Sequence, residues 1–321
     1  MQRILSMLSR NGIMTGEEIA GELGLTRAAV WKKIEALRSE GWEIRSLGKK
    51  GYCLEAGDRI DPVLWQDLLT TRSLGRGEVL FARQMDSTNR AAKQLAAGGA
   101  PDGSLCLCEE QTAGRGRMDR TWVSHPGCGL WQSLVLRPSL PPANAAWITL
   151  AAALAMAGAV EETCGVSPVI KWPNDLVLGG KKICGILTEM AADPDRVEYV
   201  VPGVGLNVRW DAVPKELEGQ AGCVEEFAEP APRRVILAAY LAQMEALLGV
   251  LTTEGLSGIM PQYTARSCTL GRPVRVIGHE TFEGVAETMD AEGALIVRRS
   301  DGTAVRVLAG DVSVRGVMGY V

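Results

Sequence analysis

Apolar positions in the first sixty residues fall into short helical periods separated by capping residues and glycines. Residues 2–10 carry Ile4, Leu5 and Leu8 at helical spacing, and Asn11-Gly12 ends the run. Thr15, with Glu18 three positions on, is a capping-box signature for a second helix through Ile19, Ala20 and Leu23. After the tight turn Gly24-Leu25, Thr26 caps a third helix, Arg27 to Glu40. Val30, Ile34 and Leu37 share one face of it, and Gly41 ends it. Trp42–Leu47 and Tyr52–Leu54 then alternate as strands around Gly48-Lys49-Lys50-Gly51. Two helices joined by a glycine turn, followed by a basic-tipped hairpin, predict a winged helix-turn-helix over residues 1–57.

Beyond Ile60 the pattern changes to helices alternating with apolar strands. Residues 61–74 read as a helix, 78–83 as a strand, 90–96 as a helix, and 104–109 as a strand in which Cys106 and Cys108 alternate with leucines. Ala143–Val160 is apolar on all sides, which predicts a buried helix. Strands follow at Val169-Ile170, after Gly179-Gly180, and over 200–208. Asp211–Val224, with Pro214 and Gly219, reads as a mobile loop, and Pro232–Leu251 as a long amphipathic helix. From Gly271 on, alternating runs at 274–277 and 294–297 punctuated by glycine predict a small β-barrel. A chain of 321 residues has room for two or three domains. The expectation is therefore a multidomain α+β chain: a winged head at 1–57, a mixed α/β core at 61–269 and a β tail at 270–321.

Composition narrows the chemistry. With 46% hydrophobic and 22% charged residues the chain has a globular protein's core. No run approaches the roughly 18 uninterrupted apolar residues of a membrane span, and Met1-Gln2-Arg3-Ile4 does not open like a signal peptide. A cytoplasmic location and no membrane partner are expected. Eight cysteines without a CxxC pair read as buried, reduced thiols. Only His125 and His279 are present, so a His-rich metal site or a Ser-His-Asp triad is nearly excluded, and no metal ligand set is identified. The net charge is −4, yet residues 26–53 hold seven Lys/Arg against three Asp/Glu. That local excess points to an anionic partner for the head. Thr26, Arg27, Ala28 and Lys32 are candidates to enter a DNA groove, with Lys49 and Lys50 at the wing tip on phosphate. A wing used only for protein contacts is the alternative.

Five motifs carry the chemistry of the core. Asp86-Ser87-Thr88-Asn89 sits between a strand and a helix, where hydroxyls and free amides meet a ligand, although such residues are more often plain N-caps. Gln111-Thr112-Ala113-Gly114-Arg115-Gly116-Arg117-Met118-Asp119-Arg120-Thr121-Trp122 interleaves arginines with glycines. The glycines let backbone approach phosphate and the guanidinium forks bind its oxygens. Lys171-Trp172-Pro173-Asn174-Asp175 follows a strand, Gly179-Gly180-Lys181-Lys182-Ile183-Cys184-Gly185-Ile186-Leu187-Thr188-Glu189 gives a turn and a strand entered by lysine, and Gly203-Val204-Gly205-Leu206-Asn207 closes a third.

Together, in this order, the motifs resemble those of the biotin protein ligase family, and with the winged head the chain resembles its bifunctional ligase–repressor branch. The resemblance spans nearly the whole sequence. It implies that biotin and ATP, with Mg²⁺, form biotinyl-5′-AMP, that biotin passes to a lysine of biotin carboxyl carrier protein, and that an adenylate-bound homodimer represses biotin-synthesis genes at operator DNA. It also implies an SH3-like β-barrel for the tail. By resemblance Ser87, Thr88, Asn89, Gln111, Arg115, Gly116, Arg117 and Lys182 bind biotin, with Lys182 and Arg117 catalytic. Arg120, Lys171, Asn174, Asp175, Asn207 and Arg315 serve the nucleotide. Trp122 and Trp172 are expected only to pack. One departure stands out: the family pattern GRGRxGRxW has glycine where this chain has Asp119, a residue placed to pair with Arg117 or Arg120. Two other readings remain open: a ligand-sensing regulator without catalysis, and a lipoate ligase. The intact Arg115, Arg117 and Lys182 argue against the first, and the GRGR loop with KWPND against the second.

Overall fold

Thr15 and Glu18 close the capping box of the second helix in the computed structural model, which describes residues 1–55, 57–309 and 313–316. The Glu18 amide donates to Thr15 Oγ1 at 3.1 Å and the Thr15 amide to Glu18 Oε2 at 2.7 Å. That box opens α2 (Gly16–Leu23), which follows α1 (Gln2–Asn11) and precedes α3 (Arg27–Ser39), itself capped by Thr26 Oγ1 on the Ala29 amide at 3.2 Å. Ile4, Leu5, Leu8, Ile19, Val30, Ile34 and Leu37 form the buried core of this unit.

A three-stranded antiparallel sheet completes the head: β1 (Ile13–Met14), β2 (Ile44–Ser46) and β3 (Tyr52–Leu54), in the order β1-β3-β2. The pattern did not reveal β1, since two residues carry no alternation to read. Gly48–Lys50 forms a single 3₁₀ turn at the wing tip. Gly51 follows at φ 109°, and a Cβ there would overlap the Met14 carbonyl, so glycine is required for the wing to close on β1.

The chain divides into two compact units, Met1–Leu69 and Thr70–Val321. The helix expected over 61–74 is confined to α4 (Pro62–Trp65) and a 3₁₀ turn, Gln66–Leu68. The amides of Arg72, Ser73 and Leu74 donate instead to the Glu245 carboxylate, at 2.7, 2.8 and 3.0 Å. Burial pushes the Glu245 carboxyl up, but these amides and the Ser73 hydroxyl outweigh it and hold its pKa below the ordinary value. A depressed carboxyl contributes stability that is present above its unfolded-state pKa and lost as pH falls through the folded one. Glu245→Gln is therefore expected to lower urea stability at pH 7 and to make it less dependent on pH between neutrality and pH 3, measured by denaturation at both.

The second unit is built on a seven-stranded sheet in the order β4-β5-β6-β10-β9-β8-β7. Its strands are β4 (Val79–Met85), β5 (Ser104–Gln111), β6 (Gly129–Val135), β7 (Val169–Lys171), β8 (Asp175–Leu178), β9 (Lys181–Ala192) and β10 (Val197–Asn207). Only β4 and β5 run parallel, joined through α5 (Thr88–Ala97), while every other neighbour is antiparallel. Ala92 and Ala96 of α5 pack on Cys106 and Val135. All eight cysteines are free. Burial pushes the Cys106 and Cys108 thiols up to about 12, so both are inert at neutral pH.

α6 (Ala146–Cys164) and α7 (Arg233–Glu254) pack against each other and on the sheet. By length and hydropathy alone, 142–164 and 233–258 are apolar enough to cross a membrane, a stronger signal than the broken apolar runs suggested. α6 meets α7 on one side and β9 and β10 on another, and 72% of its apolar window is buried. α8 (Met260–Arg266) leads to a five-stranded antiparallel sheet, ordered β14-β13-β12-β11-β15. It is formed by β11 (Pro273–Ile277), β12 (Phe282–Met289), β13 (Leu295–Arg298), β14 (Ala304–Val307) and β15 (Ser313–Gly316). Among the described residues β14 and β15 are edges that do not pair with each other.

Candidate active site

A cleft of about 270 Å³ opens on the face of the large sheet that carries α5. Thirteen of the residues singled out in the core line it: Ser87, Thr88, Asn89, Gln111, Arg115, Gly116, Arg117, Arg120, Lys171, Asn174, Asp175, Lys182 and Asn207. Arg315 lies on β15, but its side chain falls outside the described residues. The six head residues belong to the other unit, where Thr26, Arg27, Ala28, Lys32, Lys49 and Lys50 are all exposed.

Ser87 occupies the N-cap position of α5 but makes no side-chain cap. Among the described residues its hydroxyl has no protein partner, although Ser87 is only 3% exposed. The plain N-cap reading thus fails at Ser87. Gln111 Oε1 accepts from the Thr88 amide at 2.9 Å, and Gln111 Nε2 donates to Ser124 Oγ at 2.8 Å. Asn89 Nδ2 donates to the Leu187 carbonyl at 3.0 Å and to Glu189 at 2.9 Å. Burial raises the Glu189 carboxyl, but hydrogen bonds from Lys93 and Asn89 outweigh it, so the pKa lies below the ordinary value.

The arginine-glycine segment is a hairpin-like excursion between Gln111 and Ser124. The Trp122 amide donates to the Gly114 carbonyl at 2.9 Å and the Gly116 amide to the Arg120 carbonyl at 2.7 Å. Its tip, Met118 and Asp119, is left-handed, with φ of 56° and 53°. Asp119 thus sits in the conformation that glycine adopts freely and aspartate tolerates better than most residues. It forms no ion pair with Arg117 or Arg120 among the described residues, so the expected pairing is corrected: backbone conformation, not charge, is what position 119 demands. Arg117 reaches away from the tip, with Nη1 on Asn174 Oδ1 at 2.9 Å and Nη2 on the Ala309 carbonyl.

Asn174 is held from a second side, since its Nδ2 donates to the Ile186 carbonyl at 2.9 Å. Trp172 does more than pack: its amide donates to Thr269 Oγ1 at 2.9 Å and its indole Nε1 to the Gly293 carbonyl at 3.2 Å, tying the motif to the β tail. Lys182 Nζ pairs with Asp175 Oδ1 at 2.5 Å and lies 5.3 Å from the centroid of the Trp122 ring. The 211–224 segment, expected to be mobile, is tethered at its end. The Lys182 amide donates to the Gln220 carbonyl at 2.9 Å, and Asn207 Nδ2 to the Gly222 carbonyl at 3.0 Å.

Glycines explain how so many side chains converge. A Cβ on Gly203 would overlap Asn89 Oδ1, one on Gly205 would lie 2.6 Å from Trp122 Nε1, and one on Gly185 would lie 3.0 Å from Lys182 Nζ. Gly116 differs, because a Cβ there would meet nothing nearer than 3.5 Å. The electrostatics are lopsided: Arg115, Arg117, Arg120, Lys171 and Lys182 line the cleft against a single carboxylate, Asp175. Reading by motif included Glu189 but gave it no role, and missed Ser133 and the polar side of Trp122, whose Nε1 is buried without an acceptor among the described residues. Ser133 gives no signal in a strand buried at every position, whereas Glu189 ends the Gly185–Glu189 run.

Residues 80–207 match the Biotin/lipoate A/B protein ligase family, residues 1–53 an HTH domain, and residues 269–315 the biotin protein ligase C-terminal domain. The bifunctional ligase/repressor BirA of Bacillus subtilis is 36% identical over 297 residues, 91% of this chain and 91% of that protein. This chain belongs to the biotin protein ligase family, in its bifunctional ligase/repressor branch. The family member of the same name from Salmonella typhimurium is 30% identical over 315 residues, 97% of this chain and 96% of that protein. Biotin protein ligase from Aquifex aeolicus, solved in complex with biotin and ATP, shares the fold with a TM-score of 0.65 at 24% identity, covering 74% of this chain and 99% of that one.

Proposed function

We propose that this protein joins biotin to AMP at the expense of ATP, passes biotin to a lysine of biotin carboxyl carrier protein, and represses biotin-synthesis genes through its winged head. The observation that carries the reading is the cleft's charge: five cationic side chains face one carboxylate, so it favours ligands that are anions on both sides of the reaction. In the first step a carboxylate oxygen of biotin attacks the α-phosphorus of ATP and pyrophosphate leaves. In the second the acceptor's amine attacks the anhydride carbonyl and AMP leaves. Neither step needs a covalent nucleophile, which suits a site with no histidine in its lining.

Ser87, Thr88, Asn89 and Gln111 form the biotin end in this reading, and Arg115, Gly116 and Arg117 cover it, with Gly116 leaving open the space a ligand's backbone contact uses. Lys182 holds its ammonium at the reacting carboxylate and α-phosphate, while Arg120, Lys171, Asn174, Asp175 and Asn207 serve the nucleotide, with Arg315 as a further candidate. Among the described residues no group of three or more His, Cys, Asp or Glu could hold a metal ion by itself. One carboxylate, Asp175, fits Mg²⁺ carried in by the triphosphate, where the ion neutralises phosphate charge. We read the tail as SH3-like, the domains as 1–57, 61–269 and 270–321, the location as cytoplasmic, and the repressing form as an adenylate-bound homodimer. One winged head makes few phosphate contacts, and pairing two roughly doubles them.

The test is exchange of labelled pyrophosphate into ATP, expected to require biotin and Mg²⁺ and to fail with lipoate in place of biotin. Exchange unchanged without biotin overturns the ligase reading. Sedimentation and binding to the promoter of a biotin-synthesis operon test the other half. A protein that stays monomeric with biotin and ATP, or binds that DNA equally well without them, is not a ligand-controlled repressor.

The left-handed tip makes a separate prediction. Asp119→Gly is expected to be nearly neutral, because relief of backbone strain is offset by the entropy glycine loses on ordering. Asp119→Val should disfavour the ordered loop by about 1–2 kcal/mol. Loss of preformed adenylate would then be roughly 5- to 30-fold faster, measured by filter retention against the parent.

A further inference from the structure

Ser133 sits on β6, is fully buried and does not line the cleft, yet it touches two residues that do. Its Oγ lies 2.6 Å from Asn89 Oδ1 and 2.8 Å from Thr88 Oγ1. The protons in this group can be assigned by counting. Asn89 Nδ2 faces two acceptors, the Leu187 carbonyl and the Glu189 carboxylate, so the amide is oriented with Oδ1 toward Ser133. Glu189 is itself pinned by Lys93 at 2.7 Å. Oδ1 has no hydrogen, so the single hydroxyl proton of Ser133 lies between Ser133 and Asn89. The 2.8 Å contact between Ser133 and Thr88 then needs a proton from Thr88. The other acceptor within reach of Thr88 is Gln111 Oε1 at 3.2 Å, also inside the protein. On either count Thr88 has no proton left for a ligand, and its hydroxyl meets the cleft only as an acceptor.

We propose that Ser133 is a positioning residue for substrate selection: the line Glu189–Asn89–Ser133–Thr88 fixes the polarity of Thr88, so this end of the cleft demands a hydrogen-bond donor. The inference rests on the biotin-ligase reading, in which the donor is an N–H of the cyclic urea. An acceptor presented there faces a second acceptor in a dry site, a mismatch that costs far more than a missing contact. Selection at this point is therefore exerted by a residue outside the cleft's lining.

The test compares biotin with an analogue in which one ring N–H of the urea is replaced by oxygen, using pyrophosphate exchange to obtain kcat/KM for each. In Ser133→Ala the Thr88 hydroxyl keeps only the longer contact to Gln111 Oε1 at 3.2 Å, an acceptor already occupied by the Thr88 amide, and its proton can turn from there to the analogue's oxygen. Discrimination between the two substrates is expected to narrow by roughly tenfold or more. KM for biotin should rise several-fold while KM for ATP changes little, and the buried Asn89 Oδ1 left unpaired should lower the melting temperature by a few degrees, an effect common to both substrates. Ser133→Cys, which keeps a weak donor of similar shape, should recover part of the discrimination. A merely structural role predicts that kcat/KM for both substrates falls by the same factor, and that result, or an unchanged ratio, overturns the proposal. If the parent protein fails to activate biotin at all, it is the ligase reading that fails, which the parent arm reports separately.

Discussion

Lys182→Ala is expected to slow biotin-dependent pyrophosphate exchange by roughly 30- to 1000-fold, the about 2–4 kcal/mol that an oriented charge at a reacting centre contributes. The side chain is already held for that task. Nζ pairs with Asp175 at 2.5 Å and stands over the Trp122 ring, and Gly185 leaves it the room. The Asp175 pairing also changes what the same substitution does to folding. A strand-end lysine on the surface contributes under about 0.5 kcal/mol, but removing this one leaves a carboxylate only 16% exposed without its ammonium. The pair retains solvent contact, so about 1–2 kcal/mol is the expected loss, less than for a fully buried pair. A double variant separates the two effects. Lys182→Ala with Asp175→Asn should regain most of the stability, by urea denaturation, and none of the exchange activity. If the single variant exchanges at near the parent rate, Lys182 is a structural residue.

The winged head was the most legible part of the chain because its signals are local. Thr15 with Glu18, Thr26, and the apolar set Val30, Ile34 and Leu37 each act within one turn of helix, and each sits as its spacing implies. Where distant contacts decide, the pattern fell short. The amides of Arg72 to Leu74 turn to Glu245, more than 170 residues away, and so the expected helix stops at Trp65. β10 lies between β6 and β9, and β6 and β10 are buried along nearly their whole length on both faces, so periodicity tells neither their order nor which side meets ligand.

The candidate site follows the same division. Arginines, lysines and asparagines in short motifs were visible because exposed loops and strand ends have no packing reason to carry them. Ser133 was invisible because a serine inside a buried strand has no sequence feature that marks it. Asp119 shows a third case: it was noticed for its charge, while the structure makes its φ of 53° the property that matters.

Arg117→Gly is expected to release the adenylate, with dissociation roughly 30- to 1000-fold faster than from the parent. The guanidinium bridges three parts of the site, joining the arginine loop to Asn174 through Nη1 and to the Ala309 carbonyl of the β tail through Nη2. Hydrogen bonds from a charged donor contribute about 1.5–3 kcal/mol each. Two on one side chain are not additive, so about 2–4 kcal/mol is the expected loss from the closed loop. Glycine adds backbone freedom to a hairpin already holding Gly114 and Gly116, which shifts the loop further toward open forms. An open loop still allows the anhydride to form, because Lys182 lies on β9 and the biotin end on the start of α5 and the end of β5, not on the hairpin. The consequence is reactive adenylate in solution, observed as biotin on the lysines of bystander proteins. Arg117→Lys distinguishes retention from general damage: one ammonium can reach one of the two acceptors but cannot fork to both, so its dissociation rate should fall between the parent and Arg117→Gly. A glycine variant that labels only the acceptor lysine, and holds its adenylate as long as the parent does, would show that the Asn174 and Ala309 contacts do not close the site.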